Sequence, residues 1–187
     1  MRIIAGIHRG RAIRLPDSTS VRPTGDRVRE AVFNILGHSI AWPGFEGLRV
    51  LDVFAGSGAC GLEALSRGAS HATFIDHDGV SLMGIKRNAV ALGEANAVTL
   101  LKLDATKLPP PPLAAGCPCA LALLDAPYGS DRSVPALHGL ASRRWLDRGG
   151  LAVVEIGARE AFAPPPGYSL LDARTYGAAQ VVFLRVE

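Results

Sequence analysis

One stretch, Val50–Gly61 (VLDVFAGSGACG), restricts the possible folds of this chain more than any other. Val50 to Val53 read as the end of a buried strand, three glycines follow, and Leu62-Glu63-Ala64-Leu65 is a good helix former. Strand, glycine loop and helix in that order make the first βα turn of a nucleotide-binding sheet. Glycine lets the backbone approach a ligand closely, and the helix start behind it offers unpaired N–H groups. Two ligands fit the stretch. Gly56-x-Gly58-x-x-Gly61 satisfies the dinucleotide fingerprint, with Asp76 at the ribose position roughly 20 residues on. A site for S-adenosylmethionine has a similar loop, so the glycines alone do not choose.

A chain of 187 residues is enough for one domain with a sizeable core. Hydrophobic residues at 48% and charged residues at 20% argue against disorder. No apolar run reaches the ~18 residues of a membrane span. Met1–Arg9 lacks the apolar stretch of a signal peptide, so a cytoplasmic location is expected. The net charge of +3 is unevenly placed. Residues 1–30 hold seven Arg against Asp17, Asp26 and Glu30, and the rest hold 13 basic and 14 acidic groups. Arginine forks clustered in this way match phosphate geometry. Cys60, Cys117 and Cys119 lack zinc-site spacing, and neither a metal nor a disulfide is expected.

Residues 2–15 alternate imperfectly around Gly6 and Gly10 and read as a β-hairpin projecting Arg9, Arg11 and Arg14. It is too small to be stable alone and must pack on the main domain or on a substrate. With the turn-rich linker 16–25 it forms a basic N-terminal unit, residues 1–25, ahead of a main domain over 26–187. Val28, Ala31, Val32, Ile35 and Leu36 have helical spacing, closed by Gly37, and place Arg22, Arg27 and Arg29 around the helix start as a basic lip. From Leu48 the βα alternation is regular. Strands are expected at Leu48–Val53, Ala72–Ile75, Val98–Leu103, Leu121–Leu124 and Leu151–Ile156. Helices are expected at Ala59–Arg67, Gly79–Leu92 and Ser133–Leu146. Tyr168–Arg174 and Val181–Val186 have no helix between them and form a terminal antiparallel hairpin. The fold class is therefore α/β: a Rossmann-like, mostly parallel seven-stranded sheet with helices on both faces.

Ligands of such sheets bind beyond the carboxyl ends of the strands. Asp52, Asp76, Asp104 and Asp125 all fall there, and clustered carboxylates repel one another unless a ligand uses them. Asp76 suits ribose hydroxyls, Asp104 an adenine amino group, and Asp52 the cationic end of a ligand. A cation favours S-adenosylmethionine over a pyrophosphate, which Asp52 would repel. Phe54-Ala55 between strand end and glycines points the same way.

Asp125-Ala126-Pro127-Tyr128 resembles the (Asn/Asp)-Pro-Pro-(Tyr/Phe) motif of methyltransferases that act on exocyclic base amines. With Asp52-x-Phe54-Ala55-Gly56-x-Gly58, the chain resembles the bacterial 16S ribosomal RNA guanine-N2 methyltransferases, the RsmD family. The resemblance extends to Arg2-Ile3-Ile4-Ala5-Gly6, Arg9-Gly10-Arg11, Arg22-Pro23-Thr24, Asp26-Arg27-Val28-Arg29-Glu30, Phe33-Asn34 and Tyr176-Gly177. It implies a monomeric enzyme that methylates guanine N2 in 16S ribosomal RNA or the assembled 30S particle, without a metal. Expected cofactor contacts are Thr24, Asp52, Phe54, Ala55, Gly56, Gly58, Asp76, His77, Asp104 and Ala105. Expected RNA contacts are Arg9, Arg11, Arg14, Arg22, Arg27 and Arg29.

The residues themselves support that chemistry. The amine lone pair is delocalised into the base, and acceptors on its N–H groups localise it. Asp125 and the Ala126 carbonyl can supply them, while Tyr128 offers a stacking face. In-line positioning of this kind can supply up to ~7–11 kcal/mol. Ala126 stands where the family pattern has proline. Its carbonyl survives, and Pro127 still biases it toward an extended conformation, but one locked φ is lost and a looser loop is expected. The motif does not separate guanine N2 from another base amine such as adenine N6 in DNA.

Overall fold

A computed structural model describes residues 1–15, 25–38, 40 and 42–187. Arg22, Thr24 and most of the expected linker lie outside the described residues. The elements are α1 (Asp26–His38), β1 (Arg49–Val53), α2 (Ala59–Ser66), β2 (His71–Asp76), α3 (Gly79–Leu92), β3 (Val98–Lys102), β4 (Cys119–Asp125), α4 (Ser133–Ser142), β5 (Leu146–Gly157), β6 (Tyr168–Tyr176) and β7 (Ala179–Val186). One seven-stranded sheet has the order β3-β2-β1-β4-β5-β7-β6. Strands β1 to β5 pair in parallel, and β7 lies antiparallel between β5 and β6. The order reverses between β1 and β4, which opens a crevice at their carboxyl ends.

Strand residues alternate between two cores. Val50, Phe74, Leu121, Leu123 and Val153 pack with α1, α2 and α3. Leu51, Val53, Ile75, Leu124 and Val154 pack with α4 and Trp145. The two-residue period then assigns Asp52, Asp76, Asp125 and Glu155 to the α2 side of the sheet. No described helix is long and apolar enough to cross a membrane.

The N-terminal arm doubles back as a short antiparallel pair, with the Arg2–Ala12 bridge flanked by bonds from the Ile3 amide to the Arg11 carbonyl at 2.9 Å and from the Ile13 amide to the Met1 carbonyl at 3.0 Å. Other backbone donors of the arm dock it on α2. Ile4 and Ala5 donate to the buried Glu63 carboxylate at 2.7 and 3.0 Å, and Ile7 donates to the Ser66 carbonyl at 2.8 Å. Gly6 lies so close to α2 that a Cβ there would stand 1.7 Å from the Ser66 carbonyl oxygen. Farther along the arm, Asn88 of α3 both accepts from the Arg14 amide and donates to its carbonyl.

Two other boundaries move. Helix α1 runs through Gly37 to His38. Helix α4 stops at Ser142, short of the expected Leu146, because Arg144 takes a left-handed φ of 60°. The Trp145 indole then donates to the Pro109 carbonyl, and Leu146 opens β5 against Cys119.

Gly61 of α2 packs against β2, where a Cβ would come within 2.4 Å of the Phe74 ring. Substituting Gly61→Ala should lower the stability read by urea unfolding by about 1–3 kcal/mol, the usual cost of overpacking.

Candidate active site

The loop after β1 is held by the strand-end carboxylates. Asp52 Oδ2 accepts the Gly61 N–H at 2.8 Å. Asp76 Oδ2 accepts the Gly56 N–H at 2.8 Å, and its Oδ1 accepts the Asp78 N–H at 2.8 Å. Gly58 ends the loop in left-handed geometry, and Phe54 takes a φ of 60°. Ala55 is buried. An ionised carboxylate offers about four acceptor positions, so these bonds leave capacity for a ligand.

Beyond β2 and β3 the loop borders a cavity of about 190 Å³. Phe54, Ile75, Leu103 and Ala105 form its apolar walls, with Asp76 and Asp104 as acceptors. His77 is exposed at its edge, with Nδ1 3.4 Å from Asp76 Oδ1. Asp104 is also exposed and accepts from the Thr106 hydroxyl and amide, which hold its carboxyl below the ordinary range. The cavity therefore brings together Phe54, Asp76, His77, Asp104 and Ala105, while Gly56 and Gly58 belong to the loop beside it. It adds Arg132, which the sequence reading did not single out.

A second cavity, about 90 Å³, opens at the ends of β4 and β5. Ala126, Pro127 and Tyr128 line one side, and Glu155, Glu160 and Phe162 line the other. The Tyr128 hydroxyl donates to Glu155 Oε1 at 2.5 Å. Glu160 clamps the loop, accepting the Gly129 N–H at 3.0 Å and the Gly157 N–H at 2.6 Å. That clamp restrains the turn in which Ala126 replaces a proline. Asp125 is partly buried at the end of β4, and its charge reaches Asp52. Glu155 was legible in principle: it is one more carboxylate beside a strand end. Glu160 carried no signal, because its role depends on the return of a loop.

The arginines separate. Arg9, Arg11, Arg14 and Arg27 are exposed, although Arg11 Nη2 donates to the Ala91 carbonyl at 2.7 Å. Arg29 corrects the expected RNA set. It is 1% exposed, and its Nη2 donates to the Arg2 carbonyl at 2.6 Å and to Asp26 Oδ1 at 3.1 Å. The helical period turns Arg29 inward beside Val32 and Phe33, where its charge acts on Asp52. A side chain so enclosed does not face a polynucleotide.

Burial pushes the Asp52 carboxyl up from 3.8 to about 8. Repulsion from Asp125 and Asp76 adds to this, while the Gly61 amide and Arg29 oppose it. Below 3.8 the folded and unfolded states both hold the proton; between 3.8 and about 8 only the folded state does. Stability from this group is thus lost as pH rises through that window. Asp52→Asn should flatten this fall in a urea-unfolding series across the same pH range.

The family described as Conserved hypothetical protein 95 matches residues 1–185. Two relatives carry the name Ribosomal RNA small subunit methyltransferase D. The Escherichia coli K12 protein is 37% identical over 83% of this chain and 74% of its own length. The Haemophilus influenzae protein is 34% identical over 95% and 89%. The solved structure of yhhF from Escherichia coli superposes with a TM-score of 0.80 at 30% identity, over 100% of this chain and 98% of that one. With the two cavities on either side of the reversal in strand order and this match along nearly its whole length, the chain belongs to the RsmD family.

Proposed function

We propose that this protein transfers a methyl group from S-adenosylmethionine to the exocyclic N2 amine of a guanine in 16S ribosomal RNA. The observation that carries the reading is the pairing of two cavities across the β1/β4 crevice, one beside Asp76 and one beside Asp125-Ala126-Pro127-Tyr128. The names of the relatives place them on small-subunit ribosomal RNA. The strand-end carboxylates favour a cationic cofactor over a dinucleotide, whose pyrophosphate they would repel.

The first cavity fits the adenosine part of the cofactor. Its apolar walls suit a flat ring, Asp76 can accept from ribose hydroxyls, and Asp104 can accept from an amino group. Asp52 is buried and electrostatically strained, and a neighbouring cation would favour its ionised form. S-adenosylmethionine supplies the methyl group on a sulfonium that is already a strong electrophile. The protein's own task is to position the amine. Asp125 and the Ala126 carbonyl accept its two N–H groups and aim its lone pair, and Tyr128 stacks on the base. Asp125 can take the proton once methylation has acidified the nitrogen.

In this reading the protein works as a monomer in the cytoplasm without a metal. The basic arm grips RNA phosphates through Arg9, Arg14 and Arg27, with Arg11 tethered to α3.

Incubation with unmodified 30S particles and labelled S-adenosylmethionine should yield N2-methylguanosine. Its absence, or N6-methyladenosine in its place, would overturn the assignment. Asp125→Ala should lower turnover by about 10²–10³-fold, the scale for removing one preorganised hydrogen-bonding group. Calorimetric affinity for the cofactor should stay within a few-fold, since Asp125 serves the base. Removing Arg9 and Arg14 together should weaken RNA binding and reduce the slope of log K against log salt by about 1–2.

A further inference from the structure

The amine-positioning chemistry uses Asp125 and leaves Glu155 without a role. Glu155 of β5 is the register partner of Asp125 in β4, and alternation places the two on the same side of the sheet. Glu155 also lines the cavity formed by Ala126, Pro127 and Tyr128. Asp125 is the residue before that lining, and paired strands lie about 4.8 Å apart, so the two acids stand side by side at the strand ends beside the cavity.

We infer that Glu155 selects guanine by accepting its ring N1–H while Asp125 accepts from the adjacent N2 amine. The inference rests on the guanine reading above and adds how that base is told from others. Guanine presents N1–H and N2–H side by side, and enzymes acting on an extruded base read this edge by hydrogen bonds. Adenine presents its amine beside a lone pair on N1, which faces Glu155 as acceptor against acceptor. The Tyr128 bond occupies part of Glu155 Oε1, and a carboxylate with about four acceptor positions serves both partners. The same bond fixes the Tyr128 ring beside the base, so the stacking face and the edge reader form one unit.

The test uses 30S particles reconstituted with the mapped target guanine replaced by 2-aminopurine. That base keeps the 2-amine but has a lone pair at N1. Wild-type protein should prefer guanine by about 10²-fold or more, because a site built around a donor rejects an analogue that lacks it. Glu155→Gln presents an amide that can donate to N1, and the guanine-to-2-aminopurine ratio of kcat/KM should fall by about tenfold or more. The ratio is read within one preparation, so a partial loss of folded protein cancels. Tyr128→Phe removes the hydroxyl but keeps the carboxylate, and the ratio should hold. If wild type forms no N2-methylguanosine, both the guanine reading and this inference fail. If wild type methylates guanine and Glu155→Gln keeps the wild-type ratio, the role of Glu155 alone is overturned. A ratio that collapses equally in Tyr128→Phe would also overturn it, since discrimination would then run through the tyrosine.

Discussion

Two carboxylate–amide bonds hold the site together. Asp52 reaches across to the Gly61 amide in the first turn of α2, and Asp76 reaches the Gly56 amide in the loop. The first bond pairs a donor at the start of a helix that would otherwise be unpaired, and the second ties the loop itself to a strand end. The loop is pinned from β1 and β2 at once, which holds Phe54 against the cavity. The arrangement concentrates negative charge in a dry place, which is why Asp52 resists ionisation. A cationic ligand would relieve that strain, so the bonds that shape the loop also set which sign of charge it favours.

A second buried carboxylate organises the other end of α2. Glu63 is fully enclosed and accepts from the Ile4 and Ala5 amides and from Arg67 Nε. The Arg67 guanidinium in turn lies over the Phe33 ring at 4.8 Å from its centroid. One short helix therefore carries the glycine loop at its start and the basic arm along its flank. The arm is positioned by the same element that positions the loop, so its exposed arginines stand in a set relation to the crevice.

The regular βα alternation was readable because buried parallel strands are apolar runs and their helices begin and end at turn residues. The terminal hairpin was readable from the missing helix. Boundaries failed where long-range partners intervened. Trp145 belongs to the strand side because Pro109 takes its indole N–H, and no local pattern reveals that bond. The arm reads as a hairpin because its residues favour strands, but its docking on Glu63 and Ser66, about 60 residues away, has no local signal. Arg29 looked like part of a basic cluster because sequence charge does not report burial.

Sequence alone determined the architecture, the strand-end acids Asp52, Asp76, Asp104 and Asp125, and the turn carrying Ala126, Pro127 and Tyr128. Periodicity and turn chemistry act over a few residues, and those residues carry the signal themselves. Only the tertiary structure decided which of them share a cavity, that Arg29 is enclosed, and that Glu155 and Glu160 line the cavity beside Ala126, Pro127 and Tyr128. Those facts depend on strand register and on where loops return. Register follows from the packing of whole faces of the sheet, a property no short stretch of sequence holds.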